Sequence, residues 1–224
     1  MARSRYALIV AGGQGHRMQA SVPKQFIPVA GLPILMHTLA VFHRCSPAIE
    51  IVTVLPESEI AHWQTLCADY QFTVPHTVVA GGSTRSASVR NGLQHVEKEF
   101  SLVAVHDGVR PVVTPELINR SFDVAERYGS AVATVPLKDS IREVKGEGSA
   151  AVARDNYRIV QTPQTFRTEW LRAAYAEAAE QTFSDDASLV EHCGRTIHLI
   201  EGHYRNLKIT TPEDLILAEA LLEN

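Results

Sequence analysis

Six short apolar runs rich in β-branched residues recur along the chain, at Tyr6–Ala11, Ile49–Leu55, Thr77–Val79, Leu102–His106, Ala131–Val135 and Ile197–Ile200, and most alternate with longer stretches of helical pattern. A chain built this way has few folds open to it. Buried strands joined by helices pair side by side in parallel, and the helices must cover the two faces of the sheet. The expectation is an α/β fold around a mostly parallel sheet. The helix ends agree: Thr114-Pro115 opens a helix that stops near Gly129, and Thr168 opens another through Ala178. Thr211-Pro212-Glu213-Asp214 opens the last, with capping-box-like spacing and proline in the first helical position. With 224 residues and 45% hydrophobic content, the chain can close one sizeable core and is short for two. A single domain over 1–224 is expected.

Charge and cysteine usage exclude several functions. The formal charge of −4 argues against a sequence-independent grip on nucleic acid, which needs a net basic face. Cys45, Cys67 and Cys193 stand far apart with no paired spacing, so neither a disulfide framework nor a zinc site is suggested, and a reducing, cytoplasmic compartment fits best. Arg3 and Arg5 before Ala7-Leu8-Ile9-Val10 resemble a signal peptide, but the run stops at Gly12, too short for its apolar region. No stretch approaches a membrane span.

One segment breaks the rhythm. From Pro136 to Asn156 the chain is polar and turn-rich, with Gly146-Glu147-Gly148 between Ser140–Val144 and Ala150–Ala153, which reads as a β-hairpin. Such an insertion is either a mobile surface flap or an arm reaching a neighbouring subunit.

Chemistry is suggested first by Val10-Ala11-Gly12-Gly13-Gln14-Gly15-His16-Arg17-Met18, a glycine-rich turn directly after the first strand. Phosphates need backbone N–H groups at close range, and glycine permits the approach and positive φ angles. Three glycines alone are equally consistent with a tight turn that holds nothing. A Walker loop would close on Gly-Lys-Ser/Thr, and a dinucleotide fingerprint would carry a third glycine near Met18 with an acidic residue about 20 positions on; neither fits. Instead Arg17 and then Pro23-Lys24-Gln25 follow, two cations after the glycines. Fixed cations suit a triphosphate attacked at its α-phosphorus, where charge spreads over equatorial and bridging oxygens.

The run Ala11-Gly12-Gly13-x-Gly15-x-Arg17-Met18 with Pro23-Lys24-Gln25 resembles the signature of sugar-phosphate nucleotidylyltransferases. Further blocks narrow the resemblance: Gly81-Gly82-Ser83-Thr84-Arg85-x-x-Ser88, His106-Asp107-Gly108-Val109-Arg110-Pro111, Gln161-Thr162-Pro163-Gln164-x-Phe166, Asp185-Asp186-Ala187-Ser188 and Asn206-x-Lys208-Ile209-Thr210-Thr211-Pro212. Together they look like the cytidylyltransferase family of the non-mevalonate isoprenoid pathway, from the first strand to the last helix. The resemblance implies a Rossmann-like nucleotidyltransferase fold with a mixed sheet and a hairpin arm at 136–156 that locks two subunits into a homodimer. It implies transfer of a cytidylyl group from CTP to 2-C-methyl-D-erythritol 4-phosphate, a small sugar-alcohol phosphate, with Mg²⁺ or another divalent cation as cofactor.

Carried over position by position, the resemblance implies that Ala11, Gly12, Gly13 and Gly15 wrap the nucleotide, and that Arg17 and Lys24 stabilise the transition state. Gly82 and Ser88 would read the cytosine and Gly108 would join the CTP site. Ser88 could equally be a helix-face hydroxyl bonded to its own turn. Asp107, at a strand end where ligands of open α/β sheets collect, is the expected metal and ribose-region residue. Arg110 would hold the acceptor's phosphate or hold Asp107. The arm would present Ser140, Arg154 and Thr162 to the partner's acceptor-phosphate site, to which Ser184 and Lys208 contribute from the same subunit, with Arg154 and Lys208 gripping the phosphate itself. His106 reads as structural, and Asp185-Asp186 as first-turn acids complementing a helix dipole. Three positions depart from the family's common pattern: Ser83 stands where Asp is frequent, Val10 where Pro is, and Ser140 where Thr is. A ribitol 5-phosphate cytidylyltransferase shares the glycine loop and the Thr-Pro-Gln block, and a catalytically silent nucleotide-binding domain is the alternative of another class.

Overall fold

The computed structural model describes residues 3–13, 22–178, 181 and 183–223. Gly15 and Arg17 lie outside the described residues. The chain runs through β1 (Ser4–Val10), the small β2 (Pro28–Val29) and β3 (Leu32–Pro33), α1 (Ile34–Cys45), β4 (Glu50–Leu55), α2 (Ile60–Asp69), β5 (Thr77–Ala80), α3 (Arg85–Leu93) and β6 (Ser101–Asp107). It continues through α4 (Pro115–Tyr128), β7 (Ser130–Pro136), β8 (Arg142–Lys145), β9 (Gly148–Ala151), β10 (Arg158–Arg167), α5 (Thr168–Glu177), α6 (Asp186–His192), β11 (Leu199–Glu201) and α7 (Pro212–Leu222). Seven strands form the main sheet in the order β11-β7-β10-β6-β1-β4-β5. Every neighbouring pair in it is parallel except those of β10, which is antiparallel to both β6 and β7.

Both faces are buried, as the near-continuous apolar strands require. Side chains alternate across β1: Ala7 and Ile9 enter the core under α1, α2 and α4, while Tyr6 and Leu8 enter the core under α3, α5 and α6. The expected caps form. Thr114 accepts the Leu117 N–H, and α4 ends at Gly129 with φ +95, where a Cβ would collide with the Trp170 ring. Asp214 reaches back to the Thr210 and Thr211 N–H groups at 2.7 and 2.8 Å.

The expected arm is a hairpin, with Lys145 paired to Gly148 across a turn in which Gly146 has φ +58. It sits at the tip of a longer excursion in which β7 leaves the sheet and β10 returns beside it. The alternation of apolar runs names no strand at 158–167. The register of β10 against β7 shifts between Val160 and Gln164, the kind of irregularity that re-aims a side chain, and the sequence Gln161-Thr162-Pro163 falls there.

Asp185 caps α6, accepting the Ser188 N–H at 2.9 Å, and Asp186 stands in its first turn as expected. Asp186 does more than complement the helix dipole. It is fully buried, 2.6 Å from the Arg85 guanidinium and 2.6 Å from the Tyr175 hydroxyl, so it ties α6 to α3 and α5. Burial would push the Arg85 guanidinium down, but Asp186 more than offsets this and holds it above its usual value. Burial pushes the Tyr175 phenol up, and the neighbouring acid raises it further. Removing one partner of such a pair leaves an uncompensated charge. Asp186→Asn is therefore expected to destabilise the fold by on the order of 3 kcal/mol, the low end for buried pairs because Arg85 is partly wet. Denaturant unfolding would show a lower midpoint at unchanged slope; an unchanged midpoint would mean that α6 is held by its apolar contacts alone.

Candidate functional site

Two cavities open at the carboxyl ends of the central strands, where open α/β sheets gather their ligands. The first is lined by Gly12, Gly13, Lys24, Gly82 and Ser88, and the second by Arg110, Thr162, Gln164 and Ser184. Arg85, Asp107 and Lys208 line both, so the two cavities share one wall.

The described glycines of the turn give close approach rather than unusual dihedrals. Neither Gly12 nor Gly13 has positive φ, which corrects the sequence expectation. The Lys24 side chain lies along Gly13 instead, with Cε and Nζ 3.4 and 3.7 Å from where a Cβ would stand. Ala11 spends its N–H on the Val54 carbonyl at 2.9 Å, whereas the N–H groups of Gly12 and Gly13 bond no described residue. All three residues line the first cavity, so the turn brings two uncommitted N–H donors to it. Gly108 is corrected in the same way. Its N–H goes to Val10 and its carbonyl accepts from Thr38, and it lines neither cavity; its lack of a side chain lets β6 meet Ala11, whose Cβ would lie 2.8 Å from an added one.

Ser88 lines the first cavity and realises the reading of a hydroxyl bonded to its own turn. Its hydroxyl donates to the Thr84 carbonyl at 2.9 Å, within its own turn, and accepts the Gly82 N–H at 3.1 Å. A Cβ on Gly82 would strike Ala87, so the glycine folds tightly against α3 and presents its backbone to the cavity. Gln25 adds a feature that the sequence marked only as part of a motif. It is 1% exposed and lies against the first cavity, and no described residue bonds its amide nitrogen or its amide oxygen.

On the shared wall, Asp107 is held by Arg110 Nε at 3.0 Å and Lys208 Nζ at 3.2 Å, both on Oδ2. Burial alone would raise this carboxyl; Lys208, Arg110 and Arg85 together outweigh it and keep the group well below the usual carboxylate range. No described residue hydrogen-bonds Oδ1. Arg110 settles between its two expected roles in favour of holding Asp107, with its Nη1 also donating to the Asn206 carbonyl at 2.8 Å.

Thr162 corrects a third expectation. It lines the second cavity of its own chain, and its hydroxyl accepts the Asp107 N–H at 3.1 Å, so it is not carried on the arm. Ser184 lines the same cavity. Ser140 and Arg154 do not: both are exposed, neither lines either cavity, and Arg154 donates to the Lys138 carbonyl. Arg85 and its anchor Asp186 are the functional residues that sequence reasoning missed, since a partner 101 positions away leaves no local signal.

The comparisons agree with this geometry. The sequence profile of the family IspD: 2-C-methyl-D-erythritol 4-phosphate cytidylyltransferase matches residues 6–224. The chain is 54% identical to the 2-C-methyl-D-erythritol 4-phosphate cytidylyltransferase of Porphyromonas gingivalis over 224 residues, covering 99% of each. It superposes on the crystal structure of the enzyme of that name from Thermus thermophilus with TM-score 0.81 at 36% identity, covering 100% of each chain. It superposes on the 4-diphosphocytidyl-2C-methyl-D-erythritol synthase of Anaerococcus prevotii with TM-score 0.85 at 29% identity, over 99% of this chain and 97% of that one. A family profile that matches residues 6–224, with a relative 54% identical over 99% of both chains, shows that this protein belongs to the 2-C-methyl-D-erythritol 4-phosphate cytidylyltransferase family.

Proposed function

We infer that this chain transfers the cytidylyl group of CTP to 2-C-methyl-D-erythritol 4-phosphate, giving 4-diphosphocytidyl-2-C-methyl-D-erythritol and pyrophosphate, in isoprenoid precursor biosynthesis. The observation that carries the mechanism is the shared wall of Arg85, Asp107 and Lys208. Two polyanions seated on either side of it have their reacting phosphates side by side. An oxygen of the acceptor's phosphate attacks the α-phosphorus in line, that P–O bond forms, and the bond to the β-phosphate breaks as pyrophosphate leaves. A phosphate monoester has its second pKa near ~6, so the nucleophile is already largely dianionic at neutral pH and needs no general base. Lys24, lying over Gly13, and Arg17 after it in sequence supply positive charge where the leaving group gathers negative charge. Gly12 and Gly13 offer their open N–H groups to the triphosphate, and Gly82 with Ser88 forms the pocket wall that would read the base. Lys208 faces the acceptor's phosphate.

A divalent metal fits the residues present. Among the described residues no group of three acidic, histidine or cysteine side chains could hold an ion alone. Mg²⁺, however, characteristically takes one or two carboxylates and completes its shell with substrate phosphates and water. Asp107, ionised and with Oδ1 open, would be that carboxylate, and the ion would neutralise triphosphate charge when bound. Three unpaired cysteines fit the cytoplasm, and among the described residues no helix is long and apolar enough to cross a membrane.

The arm would serve a second copy of the chain. Val144 on the hairpin and Tyr157, Ile159 and Val160 at its root are exposed apolar side chains that a partner would cover, and Ser140 and Arg154 have no cavity of their own to serve. In the homodimer each arm would bring Ser140 and Arg154 to the neighbouring acceptor site.

Pyrophosphate release tests the reaction. CTP is expected to be used in preference to UTP, ATP and GTP, and methylerythritol phosphate in preference to ribitol phosphate. Chelation should abolish turnover and Mg²⁺ restore it. Equal or reversed acceptor preference would move the chain to the ribitol activity, and full activity in excess chelator would remove the metal from the mechanism.

Subunit mixing tests the arm. Lys24→Ala alone should lose on the order of 10² in kcat/KM, as does removal of one preorganised charge-stabilising group, and Arg154→Ala should also be inactive by loss of the acceptor contact. Mixed together, the two should recover up to about a quarter of wild-type activity under random exchange, since one site of each mixed dimer has both residues intact. Stable mixed dimers without recovery would mean that the arm serves its own subunit.

A further inference from the structure

His106 lines neither cavity, yet it sits in a closed circuit of hydrogen bonds directly behind the shared wall. Its Nδ1 is 3.0 Å from the Thr162 hydroxyl and its Nε2 3.2 Å from the Arg110 carbonyl. Arg110 Nη1 donates to the Asn206 carbonyl at 2.8 Å, and Asn206 Nδ2 returns to the Thr162 carbonyl at 2.7 Å. Asp107 is pinned inside this ring by its backbone, through the Thr162 hydroxyl, and by its side chain, through Arg110. The ring also joins three separate pieces of chain: the end of β6, the irregular stretch of β10, and the segment that leads into Lys208.

Donor accounting fixes every proton in it. A carbonyl can only accept, so His106 Nε2 carries hydrogen. A neutral imidazole with its proton on Nε2 has a bare, accepting Nδ1, and the Thr162 hydroxyl, which takes the Asp107 N–H on one lone pair, points its proton there. The imidazole is wholly buried against the edge of the Phe42 ring, and that burial outweighs the pull of the neighbouring Asp107 carboxylate and keeps the ring neutral, with a single proton. Thr162 therefore spends its one proton inward. Toward the cavity it can offer a lone pair and nothing else.

We propose that His106 is a positioning residue of the transfer reaction: by taking the Thr162 proton it fixes Asp107 and makes Thr162 a hydrogen-bond acceptor for a hydroxyl of the sugar alcohol, rather than a donor to its phosphate. This rests on the cytidylyl-transfer reading of the site. It reassigns Thr162 from the phosphate-holding role expected from sequence, and leaves that role to Lys208 and the arm. It also gives the second cavity a way to prefer a polyol, because a buried oxygen that can only accept is left unpaired by an analogue lacking the hydroxyl.

The tautomer is read directly by ¹⁵N NMR of histidine-labelled wild-type protein, with His106 assigned by its disappearance in His106→Gln. A protonated Nε2 with bare Nδ1 is expected; a protonated Nδ1 would overturn the proposal. Kinetics then test whether the residue acts through Thr162. His106→Phe, which removes both bonds at similar volume, should lower kcat/KM for the acceptor by about tenfold, the order of one hydrogen bond in a polar network, with KM for CTP nearly unchanged. His106→Asn, whose amide oxygen can stand in for Nδ1, should recover part of the loss. In a double-mutant cycle, His106→Phe should cost little more once Thr162→Val is present. Full additivity, or equal losses toward CTP and acceptor, would show a merely structural histidine. If His106→Phe does not fold, His106→Gln takes its place in the same cycle. Silence of the wild-type enzyme toward every acceptor would count against the proposed reaction and not against the proton circuit, which the NMR reading decides by itself.

Discussion

The Asp107 carboxylate is almost out of reach of water, and it stays ionised only because Lys208 and Arg110 close on one of its oxygens, with Arg85 nearby. Much of the site follows from that constraint. A carboxylate in such a place must be paired or give up its charge, and the desolvation cost of the pair is recovered only with close geometry. The geometry has to come from the fold: β6 delivers Asp107 at its last residue, a tight turn delivers Arg110 three positions on, and the return of the chain after β11 delivers Lys208. Arg110 in turn needs the Asn206 carbonyl, and Asn206 needs Thr162. The wall between the cavities is thus one interlocked unit, and no member can be moved alone.

The same unit sets the electrostatics. The chain as a whole is acidic, at −4, yet the cavities are lined by Lys24, Arg85, Arg110 and Lys208 against Asp107 and Asp185, with Asp186 behind Arg85. A local excess of positive charge in partly enclosed clefts draws polyanions without making the surface generally sticky to nucleic acid. The excess is smaller than the count suggests, because Arg85 is matched by Asp186 and Arg110 by Asp107.

How much of this was legible in the sequence depends on the range of each interaction. Caps were legible because they are local: Thr114 with Leu117, Thr211 with Asp214, and Gly129 closing α4 all act within one turn. The six apolar runs became six strands of the main sheet because period and burial act together along a few residues. The tenth strand was not legible. Gln161, Thr162, Gln164 and Thr165 are buried polar residues that look like a loop until their partners across the sheet are known, and Pro163 interrupts the pattern further. The Arg85–Asp186 pair was hidden for the same reason at longer range, since nothing near either residue announces the other. Gly108 and Thr162 carried motif signals whose content proved to be packing and positioning.

The matching of charges on the shared wall bears on why an arm exists. An acceptor phosphate arrives with close to two negative charges, and the second cavity of one chain meets it with Arg85 and Arg110, each already committed to a buried acid, and with Lys208, which leans on Asp107. Arg85 and Arg110 cannot turn to the phosphate without weakening the wall that holds the site together, which leaves the half-exposed Lys208 as the one cation of the three to face it. A further cation brought from outside would have no such obligation. Arg154, which among the described residues bonds a backbone carbonyl and, at 3.9 Å, an exposed acid, is such a cation, and in the proposed homodimer the exposed apolar residues at the root of its arm would give the delivery a hydrophobic reason to happen.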